Sequence, residues 1–492
     1  GSPVPPPQAA PTETPGPVHS APPQLRALWV DAFHDGIKSP AQVDALIKSA
    51  RAAGANTLFV QVRRRGDAYY ARTGEPRVED PRLQRGFDAL QAVIEKARSG
   101  SPPLEVHAWI ATVALWKDKT VAPRDPAHAL NAHGTQAPGD DNWLSLDDRG
   151  QAWDTENYML DPGNPAAARY VASVAEELAR NYDVDGIHLD LVRYAGVQWG
   201  YNPASLARYR RRYGLEESAR PPAPTEALWQ QWRRDQVTAL VRRTYLDCVA
   251  ITPRLKMTAA VIGWGNGPTD DASWRRTSAF GNVFQEWKRW LEEGIVDALL
   301  PMNYDDEAND EQRAWFDRWM AWEKGLLELP KKRQVIAGVG LFLNKVEAGL
   351  AQVRRALAAV NGVALYSYAV TNLPPKGSDD PEVPNETFFA RLAAADGPFA
   401  GTAPVPAMPW KETPGAHVRG VASAGGAALD GATVRLEGPS RATAEADGNG
   451  YFGAVDLAPG TYAATLTHEG AVKWRGSVEL PAGSVTTLDL AI

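Results

Sequence analysis

Between residues 25 and 396, short apolar runs alternate with long amphipathic stretches through eight repeats. Such alternation implies βαβ units and a parallel sheet, and eight units is the number that closes a barrel. The runs at 27–31, 57–63, 104–110, 186–191, 255–261, 296–303, 334–339 and 363–368 are read as the strands. Helix-like segments include 40–53, 165–182, 283–293 and 345–360, and none is assigned after the last strand. The expected fold class is α/β, a (β/α)8 TIM-type barrel with its chemistry on the loops that follow the strands.

Punctuation divides the rest of the chain. Residues 1–24 are rich in Pro, Ala and Thr without apolar periodicity and read as an extended tether. The Pro-rich stretch 397–415 is read as a linker between the barrel, 25–396, and a second unit, 416–492. In that unit the pattern changes to short alternating strands, including 432–436, 451–455, 460–467 and 477–480, with a turn at Asp447-Gly448-Asn449-Gly450. A small all-β, immunoglobulin-like sandwich fits it.

Composition narrows the function classes. In 492 residues, 52 Lys plus Arg stand against 59 Asp plus Glu, a net charge of -7 that provides no basic surface for nucleic acid. No apolar run of the length a membrane span needs is present in the sequence. The single cysteine, Cys248, can build neither a disulfide framework nor a cysteine metal site, and no cofactor is expected. Gly1-Ser2 reads as a cloning remnant, with an export signal expected to have been removed before it.

Strand alternation says which side chains face the barrel interior. It points Trp29 and Asp31 inward from strand one, Gln61 and Arg63 from strand two, His107 and Trp109 from strand three, and His188 and Asp190 from strand four. In strand six, Leu300 and Met302 are assigned to the helix side, and Asn303 and Asp305 to the mouth, with Tyr304 between them. Polar residues converging from several strands mark an active site.

Two carboxyls flanking a bond are the minimal machinery for glycoside cleavage. Asp190 is the candidate nucleophile or oxocarbenium stabiliser, kept ionised by Arg193, with Asp305 as general acid and Asp31 in reserve. After strand two, Arg63, Arg65 and Asp67 form a cation-rich turn suited to sugar hydroxyls and carboxylates. Of the 17 tryptophans, Trp287, Trp290, Trp315, Trp319 and Trp322 lie at helical spacing and read as packing. Trp109, Trp116, Trp143, Trp199 and Trp264 are the candidates for stacking on sugar rings.

Four stretches carry a family resemblance: Leu25-Arg26-Ala27-Leu28-Trp29-Val30-Asp31; Asn56 to Arg63 with Arg65-Gly66-Asp67; Leu160-Asp161-Pro162-Gly163-Asn164-Pro165; and Asp185-Gly186-Ile187-His188-Leu189-Asp190 with Arg193-Tyr194. In these the chain resembles the bacterial family 10-like glycoside hydrolases, a group distinct from the family 10 xylanases. Ala195 stands where that pattern usually has proline. The resemblance implies a cell-wall glycan as substrate and partner, above all peptidoglycan strands without stem peptides, and a secreted or envelope location. The C-terminal unit resembles the carboxypeptidase-regulatory-like domain through its Asp-Gly-Asn-Gly-Tyr-Phe and Leu-Ala-Pro-Gly-Thr-Tyr runs, which implies a spacer or a wall-attachment module.

Two other readings compete. The barrel could keep a glycan groove without turnover. Alternatively, His107, His188 and Asp190 could ligate a metal for deacetylation of the same polymer, although no short metal motif is present.

Overall fold

The computed structural model describes residues 20–492, so residues 1–19 of the expected tether lie outside it. Eight parallel strands close a barrel: Leu25–Val30, Thr57–Arg63, Glu105–Ala111, Gly186–Asp190, Lys256–Ile262, Ala298–Asn303, a split seventh strand (Gln334–Val335 and Ala337–Gly340) and Gly362–Tyr366. Closure is made where Leu25 pairs with Gly362 and where Gly338 pairs with Met302. Each strand agrees with its sequence reading to within a residue or two. One helix was not read: Asn385–Ala393 follows strand eight and buries Phe388, Phe389 and Leu392.

The interior is apolar and aromatic. Ala27, Trp29, Phe59, Trp109, Ala260, Leu300, Ile336 and Ala364 form one cluster inside the strands, the packed filling expected of such barrels. His188 sits among these rings, 4.5 Å from Phe59 and 5.9 Å from Trp29 between centroids. Nearer the N-terminal end, His107 reaches down to Glu105, and Lys256 bonds the other oxygen of the same carboxylate.

The Pro-rich segment 397–415 is packed across that N-terminal end. Arg26 donates to the carbonyls of Phe399, Ala400 and Gly401, while Val405, Met408 and Trp410 pack against the interior cluster. Lys411 pairs with buried Asp297 at 3.1 Å, and Trp410 Nε1 donates to the same carboxylate.

The C-terminal unit is a sandwich of two sheets. One is built on Ala416–Ala424 and Tyr451–Leu457, the other on Thr433–Glu437, Arg441–Glu445, Gly460–His468 and Ala471–Leu480. It has its own core, including Val434, Leu436, Phe452, Tyr462 and Leu466. Tyr451 and Val455 instead join the core of the barrel. Around them Arg208 holds Asp430 with two nitrogens at 2.7 and 3.0 Å, and Arg419 and the Tyr451 hydroxyl share Asp247. Among the described residues, no helix is long and apolar enough to cross a membrane.

Gly186 begins strand four because nothing larger fits beside His107. A methyl group there would lie 2.2 Å from His107 Nδ1 and 2.7 Å from the Lys256 carbonyl oxygen. Gly186→Ala is therefore expected to cost about 1–3 kcal/mol through overpacking, measured as a lower urea midpoint. An unchanged midpoint would show that the His107 side chain gives way.

Candidate active site

At the C-terminal mouth, Asp190 ends strand four two residues beyond His188 on the same face. The chain then turns sharply, with Leu191 in the left-handed region at φ +52°. This conformation is costly for a side chain with a Cβ and is held by its surroundings. The Leu191 amide donates to Asp190 Oδ1 at 2.8 Å and Trp109 Nε1 donates to Oδ2 at 3.1 Å, so both carboxyl oxygens are fixed. Burial raises the Asp190 pKa, against the opposing pull of Arg193 and these two donors. Burial thus works against the ionised form of Asp190 that Arg193 favours.

Asp31 stands at the end of strand one with its side chain buried. Its Oδ1 accepts from the amides of Phe33 and His34 at 2.9 and 3.0 Å, and the His34 ring bonds both oxygens. Tyr366, at the end of strand eight, is shifted upward by burial and then by the charges of both Asp31 and Asp190. Tyr304 is raised by burial, by Tyr366 and by Asp190. Both phenols are thus neutral near Asp190, and neither makes a hydrogen bond to protein among the described residues. Their rings lie 5.7 Å apart, and each meets Trp29 edge-on. On the rim, Arg193 lies over the ring of Trp264, which is 45% exposed.

Several expected site residues are placed elsewhere. Strand six is turned the other way: Leu300, Met302 and Tyr304 pack with the interior cluster. Asn303 faces the helix layer, where its Nδ2 donates to buried Glu323 at 2.7 Å. Asp305 follows on that outer side, its carbonyl held by Asn344 and Gln352 and its Oδ2 buried without a partner. It does not share the mouth with Asp190, and neither carboxyl is among the charges that shift the other. Parity failed because the barrel interior is as apolar as the helix interface, so Leu300 and Met302 did not mark the outer face.

Arg63 is also redirected. The register slips between Gln61 and Arg63, a bulge that re-aims the side chain. Its guanidinium goes to Glu75 and the Ala111 carbonyl, and despite burial Glu75 holds it firmly charged. Tyr194 is buried against Phe284 and faces Asp161. Asp161, pushed up to about 6 by burial, accepts from the Gly163 amide and Ser205, while Asn164 caps the helix Pro165–Asn181. The Leu160 to Pro165 stretch thus serves loop structure.

His188 lies below the mouth. Trp29 Nε1 donates to its Nε2 at 3.0 Å, so the ring proton is on Nδ1 and goes to Thr258 Oγ1 at 2.8 Å. With both nitrogens occupied and His107 turned toward the far end of the barrel, the metal reading of His107, His188 and Asp190 is overturned by placement. Arg65 and Asp67 line a separate small cavity beside the mouth. Among the other stacking candidates, Trp116 is buried with its Nε1 on the Val121 carbonyl, and Trp143 stacks on His133.

Tyr366 and Phe33 were missed. Strand alternation could have found Tyr366, two residues beyond inward Ala364. Phe33 lies past its strand and carries no such signal.

The comparisons with known proteins agree with this architecture. The family model described as glycosyl hydrolase-like 10 matches residues 24–348, and the carboxypeptidase regulatory-like domain matches residues 418–492. Glycosyl hydrolase YngK of Bacillus subtilis is 24% identical over 303 residues, covering 57% of this chain and 54% of YngK. Glycosyl hydrolase DigH of Escherichia coli K12 is 24% identical over 288 residues, covering 54% and 58%. The chain thus spans about half the length of the curated relatives it matches. Among solved structures, the catalytic domain of a Paenibacillus polymyxa β-amylase superposes with a TM-score of 0.50 at 11% identity, covering 70% of this chain and 93% of that one. That likeness concerns the fold.

Asp305 gives a stability test. Burial, then Glu307, pushes its carboxyl up to about 7. An acid whose folded pKa exceeds its unfolded value contributes stability below about pH 4, and this is lost as pH rises to about 7. Asp305→Asn should therefore raise Tm by roughly 2–4 °C at pH 8 with little change at pH 4, by differential scanning calorimetry. Equal effects at both pH values would show that Asp305 does not titrate in this range.

Proposed function

Because this chain belongs to the glycosyl hydrolase-like 10 family, we propose that it is a glycoside hydrolase of the bacterial cell envelope, acting on a cell-wall polysaccharide through Asp190 and Asp31. The observation that carries the reading is the carboxyl of Asp190 at the end of strand four, held at both oxygens by the Leu191 amide and Trp109 Nε1, with the buried carboxyl of Asp31 at the end of strand one. Asp190 is the general acid, since its buried position favours the protonated form needed to give a proton to the leaving oxygen. Asp31, held by three donor groups, is the partner that stabilises the developing positive charge, either directly as nucleophile or through a water. Trp109 and Leu191 orient the acid. Trp264 and Arg193 offer an exposed aromatic face and a cation on the rim.

Peptidoglycan strands without stem peptides are the proposed substrate, on the resemblance of the four motif stretches to envelope-glycan hydrolases. The C-terminal sandwich is the proposed wall-attachment module, and its Arg208–Asp430 and Asp247 contacts would keep it fixed beside the barrel.

The roles separate by leaving group. Asp190→Asn should lower kcat/KM on natural glycan by about 10²–10⁴ and on a dinitrophenyl glycoside far less, because a good leaving group needs no proton. Asp31→Asn should depress both substrates alike. If the pattern is reversed, the acid is Asp31. In the wild type, activity should fall as pH rises through the Asp190 pKa. Arg193→Gln removes a cation that favours the ionised form, so it should move this alkaline limb to higher pH, as read from the pH dependence of kcat/KM.

A further inference from the structure

Beside the mouth lies a cavity that this chemistry leaves unused, of about 120 Å³ and lined by Arg64, Arg65 and Lys117 together with Asp67, Glu79 and Asp118. We propose that it is a subsite for a carboxylate-bearing sugar residue, with Arg65 and Lys117 holding the carboxylate and Phe33 meeting the ring. The proposal rests on the hydrolase reading and specifies the substrate as an acidic glycan.

Phe33 links the cavity to Asp31. The Phe33 amide donates to Asp31, and the Phe33 ring lies 5.5 Å from the Arg64 guanidinium and 5.3 Å from that of Arg65, yet stays 45% exposed. Arg64 also donates to the Ala32 carbonyl at 3.2 Å, one residue beyond Asp31. A sugar seated here would adjoin the one at Asp31.

The available groups favour an anion. Arg65 uses only Nε, on Asn157 at 3.0 Å; its two terminal nitrogens and Lys117 Nζ bond nothing among the described residues. Two of the lining acids are already engaged: Glu79 accepts from the Arg124 amide, and Asp118 from the amides of Thr120 and Val121. Arg65 and Asp67 are presented together by the turn at Gly66, whose φ of +60° and close contact with Leu115 and His128 leave no room for a side chain.

Asp67 is the second sign of a ligand. It is 4% exposed, its Oδ1 is buried, and it accepts no hydrogen bond from protein among the described residues. Burial, then Glu75, pushes it up to about 7, against the pull of Arg64, Arg63 and Arg65. A protonated Asp67 can donate to an incoming carboxylate instead of repelling it. Guanidinium and ammonium donors bind carboxylates through charge-assisted hydrogen bonds that a neutral hydroxyl cannot match.

The test uses the full chain with peptide-free peptidoglycan strands, native or with their carboxyl groups reduced to alcohols. Cleavage and calorimetric binding are both measured. The wild type should prefer the native strands by about tenfold in kcat/KM and in Kd, and Arg65→Gln should bring that ratio toward one. Lys117→Gln, an exposed side chain whose loss leaves the fold intact, should do the same and guards against misfolding of the first variant. A ratio near one in the wild type, binding of neither glycan, or an unchanged ratio in both variants overturns the subsite. Tighter binding of native strands without cleavage overturns the hydrolase reading and leaves the subsite standing.

Discussion

The site depends on a hydrogen-bonded chain inside the barrel, from Trp29 through His188 to Thr258. It crosses strands one, four and five in a space otherwise filled by apolar rings. An imidazole buried there must be neutral and satisfied at both nitrogens, and the Trp29 donor and the Thr258 hydroxyl meet that need while fixing the tautomer. Because Trp109 pairs with His188 in the neighbouring strand, it projects at the level where its indole can reach Asp190. The inner layer therefore sets the height and direction of the carboxyl above it.

Around this axis, most polar residues near the mouth maintain structure. Arg63 ties the end of strand two to that of strand three and to Glu75. Asp161 gathers the Gly163 amide and Ser205 under a helix start. Such buried groups are stable only when paired, and their pairing makes them unavailable to substrate. At the other end of the barrel, the 397–415 segment covers the interior with Val405, Met408 and Trp410, and Lys411 neutralises buried Asp297. Both ends of the strands are thus anchored, and the mouth residues are held on a rigid frame.

The strands were legible because periods of hydrophobicity survive in any sequence whose sheet is buried on both faces. The same double burial limits what alternation can say about direction. In strand four His188 and Asp190 broke the apolar run and disclosed the inward face. In strand six the only polar residue, Asn303, points outward to Glu323, so the rule that polar means inward reversed the assignment. In strand two a bulge after Gln61 shifted the face, and nothing in the local composition announces a bulge. The proline-rich composition of 397–415 shows that the stretch forms no regular strand, but not that it packs, because the carbonyls bonded by Arg26 carry no side-chain signature.

Pairing accounts for several of the buried polar residues near the mouth: His188, Arg63 and Tyr194 all have protein partners. Around the mouth, the two phenols bond nothing in the protein, and Asp190 is held by donors at a raised pKa. In the neighbouring cavity, the ends of Arg65 and Lys117 are free among the described residues and Asp67 accepts no hydrogen bond. Polar groups left unpaired cost stability unless something else engages them. At Arg65, Lys117 and Asp67, in a cavity that Phe33 links to Asp31, a polar and charged substrate would supply the missing partners.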